Sequence, residues 1–292
     1  MTAARLILLA CVIIWGWSFV FTKAALSYVT PAELLGLRLL TGLPIQLGII
    51  LARRLQFEFT ARQYRTMLIG SAIITAHFLI QITGIEYTSA TNTGWIISVT
   101  PLVLAVLSYV FLREKVGARL MAGILVATGG IFLLVSKGNL SNLDWLRSVG
   151  DWLVLVSAFT WAIYTVVTRD ISRELNPLVV IFAILLPTTV VMTAYMLFTS
   201  DWSRFAHLPS EAVWSVLFLG VLALGLAHWF WQIGIARLGA ARAGVFLYVE
   251  PVATTALAVP YLHESFGPIT AIGGILVLTG VYVAQRRKQV VA

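Results

Sequence analysis

The chain has 292 residues, 60% of them apolar and only 11% charged, with a formal net charge of +8 and a mean hydropathy of +0.93. A soluble domain carries about 25% charged residues, so this composition cannot supply the polar skin of a soluble fold. Disorder, collagen and coiled coil are excluded by the same figures, and the lone Cys11 excludes an internal disulfide framework or a Cys-based zinc site. What is left is an all-α integral membrane protein.

Apolar runs of about 20 residues, enough to cross roughly 30 Å of hydrocarbon, predict ten helices. In chain order they cover 6–26, 32–51, 66–84, 90–112, 118–136, 150–168, 178–198, 212–235, 241–262 and 268–285. The first follows Arg5 as a signal core would. No small-x-small cleavage site follows before Trp15-Gly16-Trp17 and Lys23, so it reads as a retained helix. The connectors are short and carry most of the charges, as in Arg53-Arg54, Arg113-Glu114-Lys115 and Pro209-Ser210-Glu211. A single membrane domain over 1–292 leaves no room for a soluble one.

With the N-terminus inside, fifteen Lys and Arg fall in inner loops against four outside (Lys23, Lys137, Arg147 and Arg204), while Arg38 lies within a helix. The positive-inside rule then puts both termini in the cytoplasm of a multi-pass protein, with a bacterial inner membrane as the expected location. The same asymmetry explains the net charge without a nucleic-acid partner.

The two halves repeat each other. At an offset of 146, Trp15 falls on Trp161, Thr22 on Thr168, Lys23 on Arg169 and Pro31 on Pro177. At 151, His77-x-x-x-Gln81 falls on His228-x-x-x-Gln232. At 150, Gly94, Pro101, Leu112 and Glu114 fall on Gly244, Pro251, Leu262 and Glu264, and Gly117, Gly123 and Gly130 on Gly267, Gly273 and Gly280. The expected halves are 1–139 and 147–292, five helices each. Because five is odd, the second half must run with inverted topology, a recurrent transporter design with its substrate site near the midplane.

Several of these stretches carry a resemblance. Trp15-Gly16-Trp17-Ser18-Phe19-Val20-Phe21-Thr22-Lys23, Arg38, Thr100-Pro101 with Leu112-Arg113-Glu114, and Tyr248-Val249-Glu250-Pro251 with His263-Glu264 resemble EamA-type repeats of the drug/metabolite transporter superfamily. Within it the chain looks most like the YddG-type exporters of aromatic and other neutral amino acids. The resemblance implies ten helices around a central cavity lined by helices 1, 3, 4, 6, 8 and 9, and export by alternating access. It places helix 2, with Arg38, at the periphery, where a structural role near the repeat interface is expected.

Spacing indicates which residues would line such a cavity. Ser157, Trp161, Tyr164 and Thr168 share one face of helix 6, matched on helix 1 by Trp15, Ser18 and Thr22 with Trp17 beside them. Helix 3 offers His77 and Gln81, helix 8 His228 and Gln232, helix 4 Asn92, Trp95 and Ser98, and helix 9 Tyr248. Polar groups are costly against lipid, so these stripes face either neighbouring helices or a water-filled cavity. Trp95 and Trp161 lie deep enough for their rings to hold an apolar side chain, whereas Trp145, Trp152, Trp202 and Trp214 read as interfacial. Glu250, with Pro101 and Pro251, is a coupling or gating candidate, since proline breaks the helical hydrogen-bond ladder. Glu114 and Glu264 end their helices as loop-closing partners, and the Gly123/Gly130 and Gly273/Gly280 pairs read as small-residue packing faces within the chain or in a dimer.

Enzyme, metal and cofactor readings lack parts: there is no Gly-rich phosphate loop, paired-carboxylate metal set or Ser/His/Asp arrangement. The expected partners are a small-molecule substrate and the lipid bilayer, with no nucleic acid and no obligatory protein partner. The leading expectation is a secondary exporter of neutral, often aromatic, amino acids, moving them by facilitated diffusion rather than proton coupling through His77, His228 or Glu250. The alternatives are an exchanger of phosphorylated metabolites or nucleotide sugars, which needs several cavity cations, and a lipophilic-cation efflux carrier, which needs a central carboxylate.

Overall fold

The computed structural model describes residues 3–135, 146, 148–262 and 268–285. Among them no strand occurs, and eight helices are long and apolar enough to cross a membrane. These are α1 (Ala3–Ala25), α2 (Pro31–Ala52), α3 (Ala61–Glu86), α4 (Ala90–Leu112), α6 (Val149–Glu174), α7 (Pro177–Thr199), α8 (Ser210–Leu238) and α9 (Ala240–Tyr261). Two shorter apolar helices, α5 (Ala118–Val135) and α10 (Pro268–Gln285), stand where the other two expected spans fall. Lys137, Trp145, Arg147, His263, Glu264 and Gly267, named above, lie outside the described residues.

The helix starts are written locally. Thr30 with Glu33, Thr60 with Gln63 and Ser148 with Asp151 form capping boxes on α2, α3 and α6, so two otherwise orphaned backbone donors are met at each start. Pro31 and Pro177 occupy first helical positions, where their missing N–H costs nothing.

Neighbouring ends are tied across the bundle. Arg5 Nη2 donates to the Gln285 carbonyl at 2.6 Å, so the start of α1 and the end of α10 share one face, here the terminal face. Arg62 and Glu174 pair there at 2.6 Å. On the opposite face Arg204 pairs with Glu33 at 2.6 Å, and the Tyr28 and Tyr261 hydroxyls donate to Glu211 at 3.1 and 2.8 Å.

The glycine pairs on α5 and α10 meet within the chain. A Cβ on Gly123 would stand 2.5 Å from the Ala284 methyl, and one on Gly130 would stand 2.8 Å from the Gly273 carbonyl. Close backbone approach of this kind is what small residues supply in membranes, where lipid tails give no hydrophobic drive to helix pairing.

Three helices depart from regular α geometry, all beside the centre. α4 is interrupted between Ile97 and Thr100, just ahead of Pro101. α9 tightens to a 3₁₀ turn over Val245–Tyr248, just ahead of Pro251. Each proline removes the donor that would have bonded one turn back, so the ladder fails at the same place in both helices. α8 widens to a π-helix over Phe218–Ala227. Carbonyls along this stretch also accept from neighbouring helices: Ala223 from Trp15 Nε1 at 3.1 Å, Leu224 and Gly225 from Gln46 Nε2 at 3.2 and 3.1 Å.

Candidate functional site

The interruptions in α4 and α9, with the residue that follows the π stretch of α8, border a cavity of about 40 Å³. From α1 it takes Trp15, Ser18 and Phe19, from α3 His77, Phe78 and Gln81, and from α6 and α8 Trp161 and His228. The interruptions in α4 and α9 add Ile97 and Thr100, and Leu247 and Glu250. Arg38 completes the wall from α2. Four pairs of wall residues stand 146 to 151 positions apart in the chain: Trp15 and Trp161, His77 and His228, Ile97 and Leu247, Thr100 and Glu250.

The wall is aromatic. The Trp15 and Trp161 rings meet edge to face at 5.0 Å, and His228 lies 5.0 Å from Trp15 and 5.8 Å from Trp161. Trp231, fully buried, closes the cluster at 5.5 Å from Trp15 and 5.7 Å from Trp161. His77 is held by Nδ1 contacts of 3.0 Å to the Ser157 carbonyl and 3.1 Å to the Thr160 hydroxyl, and stacks 5.1 Å from Trp161.

Four polar atoms of the wall are left without partners among the described residues. Arg38 Nε, Thr100 Oγ1, Trp161 Nε1 and His228 Nε2 are buried and make no hydrogen bond among the described residues. Burying such groups unpaired costs about 1–3 kcal/mol each. The Arg38 guanidinium stands 5.4 Å over the Phe78 ring and has no carboxylate partner among the described residues. Glu250 is also buried, without a side-chain hydrogen bond or ion pair among the described residues. One cation and one carboxylate therefore share a ring-lined cavity, neither paired among the described residues.

The cavity differs from the sequence expectation in particular places. Arg38 is a wall residue, not a peripheral strut, because α2 packs along both α7 and the π stretch of α8 and so reaches the centre. Trp17 is 38% exposed and off the wall: two residues from Trp15, it points roughly 200° away around the helix. Trp95 and Ser98 line a second, apolar pocket with Thr128 and Phe132. Asn92 sits at the far end, donating to Asp151 at 2.6 Å and to Thr88 at 3.3 Å. Tyr164, Gln232 and Ser172 form a buried chain behind the wall, Gln232 Nε2 donating to Tyr164 at 2.7 Å and Ser172 to Gln232 Oε1. The Tyr248 hydroxyl is paired with Thr128 at 2.8 Å. Ser157 is buried behind His77, and Pro101 and Pro251 shape the breaks without lining the cavity. Trp15, though on the helix 1 stripe, gave no sequence sign of being more central than Trp95.

On the terminal face Glu114 ties several helix ends together. Its carboxylate accepts from the Ala240 and Ala241 backbone N–H groups at 3.1 and 3.0 Å and pairs with Arg169 at 3.1 Å. Gly239, at φ +85°, turns the chain into α9 beside it, a backbone region that favours glycine. The ends of α4, α6 and α8 and the start of α9 meet at this one carboxylate.

A model of the EamA-like transporter family matches residues 2–136 and again 148–285. An uncharacterised transporter of Archaeoglobus fulgidus is 25% identical over 286 residues, covering 97% of this chain and 98% of its own. The uncharacterised transporter YyaM of Bacillus subtilis is 25% identical, covering 96% and 92%. A probable terminal-alkyne amino-acid exporter of Streptantibioticus cattleyicolor is 26% identical over 220 residues, covering 75% and 72%. A solved crystal structure superposes with a TM-score of 0.79 at 20% identity, covering 97% of this chain and 98% of that one, a likeness of fold.

Proposed function

The chain belongs to the EamA-like transporter family, and from that premise we propose that it exports neutral, preferentially aromatic, amino acids by alternating access across a bacterial inner membrane. The observation that carries this reading is the unpaired Arg38 and Glu250 in one aromatic cavity. A zwitterion offers a carboxylate to the guanidinium and an ammonium to the carboxylate, and its side chain suits the rings of Trp15, Trp161 and Phe78. A phosphorylated metabolite needs more than one cation, and the lining offers Arg38 alone; a lipophilic cation leaves Arg38 unmatched. The amino-acid exporter among the relatives points the same way.

In this reading ten spans form two inverted halves, 1–139 and 147–292, with both termini in the cytoplasm. Support comes from the double family match, from the four pairs on the wall, and from the breaks ahead of Pro101 and Pro251. Discontinuous helices at corresponding positions of inverted halves mark transporter sites. A volume of 40 Å³ holds about three waters, so the walls must part to admit substrate, and the breaks in α4 and α9 are where they bend. Movement is down the substrate gradient.

The test is purified protein in liposomes, offered phenylalanine, phenethylamine, 3-phenylpropionate, a nucleotide sugar and a lipophilic cation. Phenylalanine should cross and the two singly charged analogues should not. Arg38→Gln and Glu250→Gln should each abolish phenylalanine transport. Transport of the nucleotide sugar or the lipophilic cation in place of the amino acid overturns the reading, and accumulation driven by an imposed pH gradient overturns facilitated diffusion.

A further inference from the structure

A concavity larger than the central one lies elsewhere in the described part of the molecule. It opens at the terminal face, has a volume of about 730 Å³, and is bounded by the start of α1, the α4–α5 connector, the end of α8, the start of α9 and the end of α10. Five cations line it: Arg5, Lys115, Arg119, Arg237 and Arg242. No Asp or Glu is in the lining. Glu114, the carboxylate next to Lys115 in the chain, is committed to Arg169 and the backbone of α9. Lys115, Arg237 and Arg242 make no side-chain hydrogen bond or ion pair among the described residues. Arg5 is fixed in place by its bond to Gln285, while its Nε is buried without a partner.

We propose that this concavity is a binding site for a phosphate-bearing polyanion, supplied as the headgroup of an anionic phospholipid or as a soluble polyphosphate. Scattered surface cations remain solvated and separate; here five converge on one hollow whose described lining holds no Asp or Glu. The volume lies within the roughly 300–1,000 Å³ of small-molecule sites. Basic pockets between transmembrane helices on the cytoplasmic side take acidic lipid headgroups, and the positive-inside orientation proposed above puts this hollow at that leaflet. The site stands apart from the central cavity and is independent of what that cavity carries. Because the hollow joins α1 and the α4–α5 connector to α8, α9 and α10, an anion in it would clamp both halves beside the Glu114 contacts.

The experiment is native mass spectrometry of the full chain in detergent, titrated with phosphatidylglycerol, cardiolipin or phosphatidylcholine, and in a second arm with pyrophosphate. Wild type should retain an anionic species and not phosphatidylcholine. Arg237→Gln with Arg242→Gln should weaken that retention by about fivefold per cation, about 25-fold for the pair. Lys115→Gln, at an exposed connector position, is the second variant should the pair fail to fold. Arg65→Gln, an exposed cation at the start of α3 away from the hollow, should leave retention unchanged. Lipid retained without pyrophosphate assigns the headgroup, and pyrophosphate without lipid assigns the soluble anion. Retention of neither, or equal losses in Arg65→Gln and the pair, overturns the proposal.

Discussion

Trp15 and Trp161 meet edge to face at 5.0 Å, yet only Trp15 has its indole N–H satisfied, by the Ala223 carbonyl of the π stretch at 3.1 Å. Trp161 Nε1 is buried with no acceptor. Trp161 is thus the partner available to a ligand oxygen, and Trp15 is the anchored one. Trp161→Phe should keep the ring packing and melt near wild type while raising the KM for an aromatic substrate. Trp15→Phe should instead lower stability by about 1 kcal/mol, the worth of one hydrogen bond. Thermal melts and transport kinetics on the two variants separate these roles; equal loss of stability makes both rings mere packing.

Glu114 supplies a cap and an ion pair from one carboxylate. Its side chain and that of Arg169 are 14% and 15% exposed, so solvent screens the pair only in part. Glu114→Ala should cost about 1–2 kcal/mol, chiefly through the lost cap of α9, with Arg169→Ala costing less. A double-mutant cycle on the two should give a coupling of about 1 kcal/mol. Additive losses would mean that Arg169 only lies nearby and that the backbone contacts tie these helix ends alone.

Much of this was legible in the sequence. Apolar run length indicates the helices, and the repeat with its prolines locates the interruptions in α4 and α9, because a missing backbone donor acts locally wherever the chain goes. The fate of Gly123 and Gly280 was half legible: small residues announce close packing but not the partner. Arg38 was misread because nothing in a helical stripe tells which neighbour α2 will meet, and its contact with the π stretch of α8 is a tertiary event. Trp17 and Trp95 failed for a related reason. Depth in the membrane can be counted along the chain, whereas the rotation of a helix about its axis is set by its packing. The π-helix itself has no proline or other local signature in Phe218–Ala227; the cross-helix donors Trp15 and Gln46 accompany it from distant segments.

The α5–α10 contact gives a stability prediction with an internal control. A Cβ at Gly280 would lie 2.5 Å from the Ala127 backbone nitrogen and 2.6 Å from the Gly123 carbonyl, atoms that cannot swing aside. Gly280→Ala should therefore cost about 1–3 kcal/mol, the usual penalty of overpacking. Gly129, on the same helix pair, meets nothing within 4 Å, so Gly129→Ala should leave the melting temperature unchanged or raise it through helix propensity. Thermal unfolding in detergent compares the two; matching losses would show that the glycines matter for flexibility rather than approach.

Orientation is open to a direct chemical test, because the chain's one cysteine is silent: Cys11 is fully buried, its thiol donating to the Ala227 carbonyl at 3.1 Å. New cysteines can be placed without removing it. His207 is exposed between the one-turn helix Trp202–Phe205 and α8, on the face opposite the termini, and makes no side-chain bond among the described residues. Glu58 is exposed in the connector between α2 and α3, on the terminal face. That face gathers Arg53, Arg54, Lys115, Arg237 and Arg242, the side that the positive-inside rule keeps in the cytoplasm. In intact cells a membrane-impermeant maleimide should label His207→Cys and miss Glu58→Cys until the membrane is permeabilised. The reverse pattern would put both termini outside, invert the direction assigned to transport and move the cationic hollow to the other leaflet.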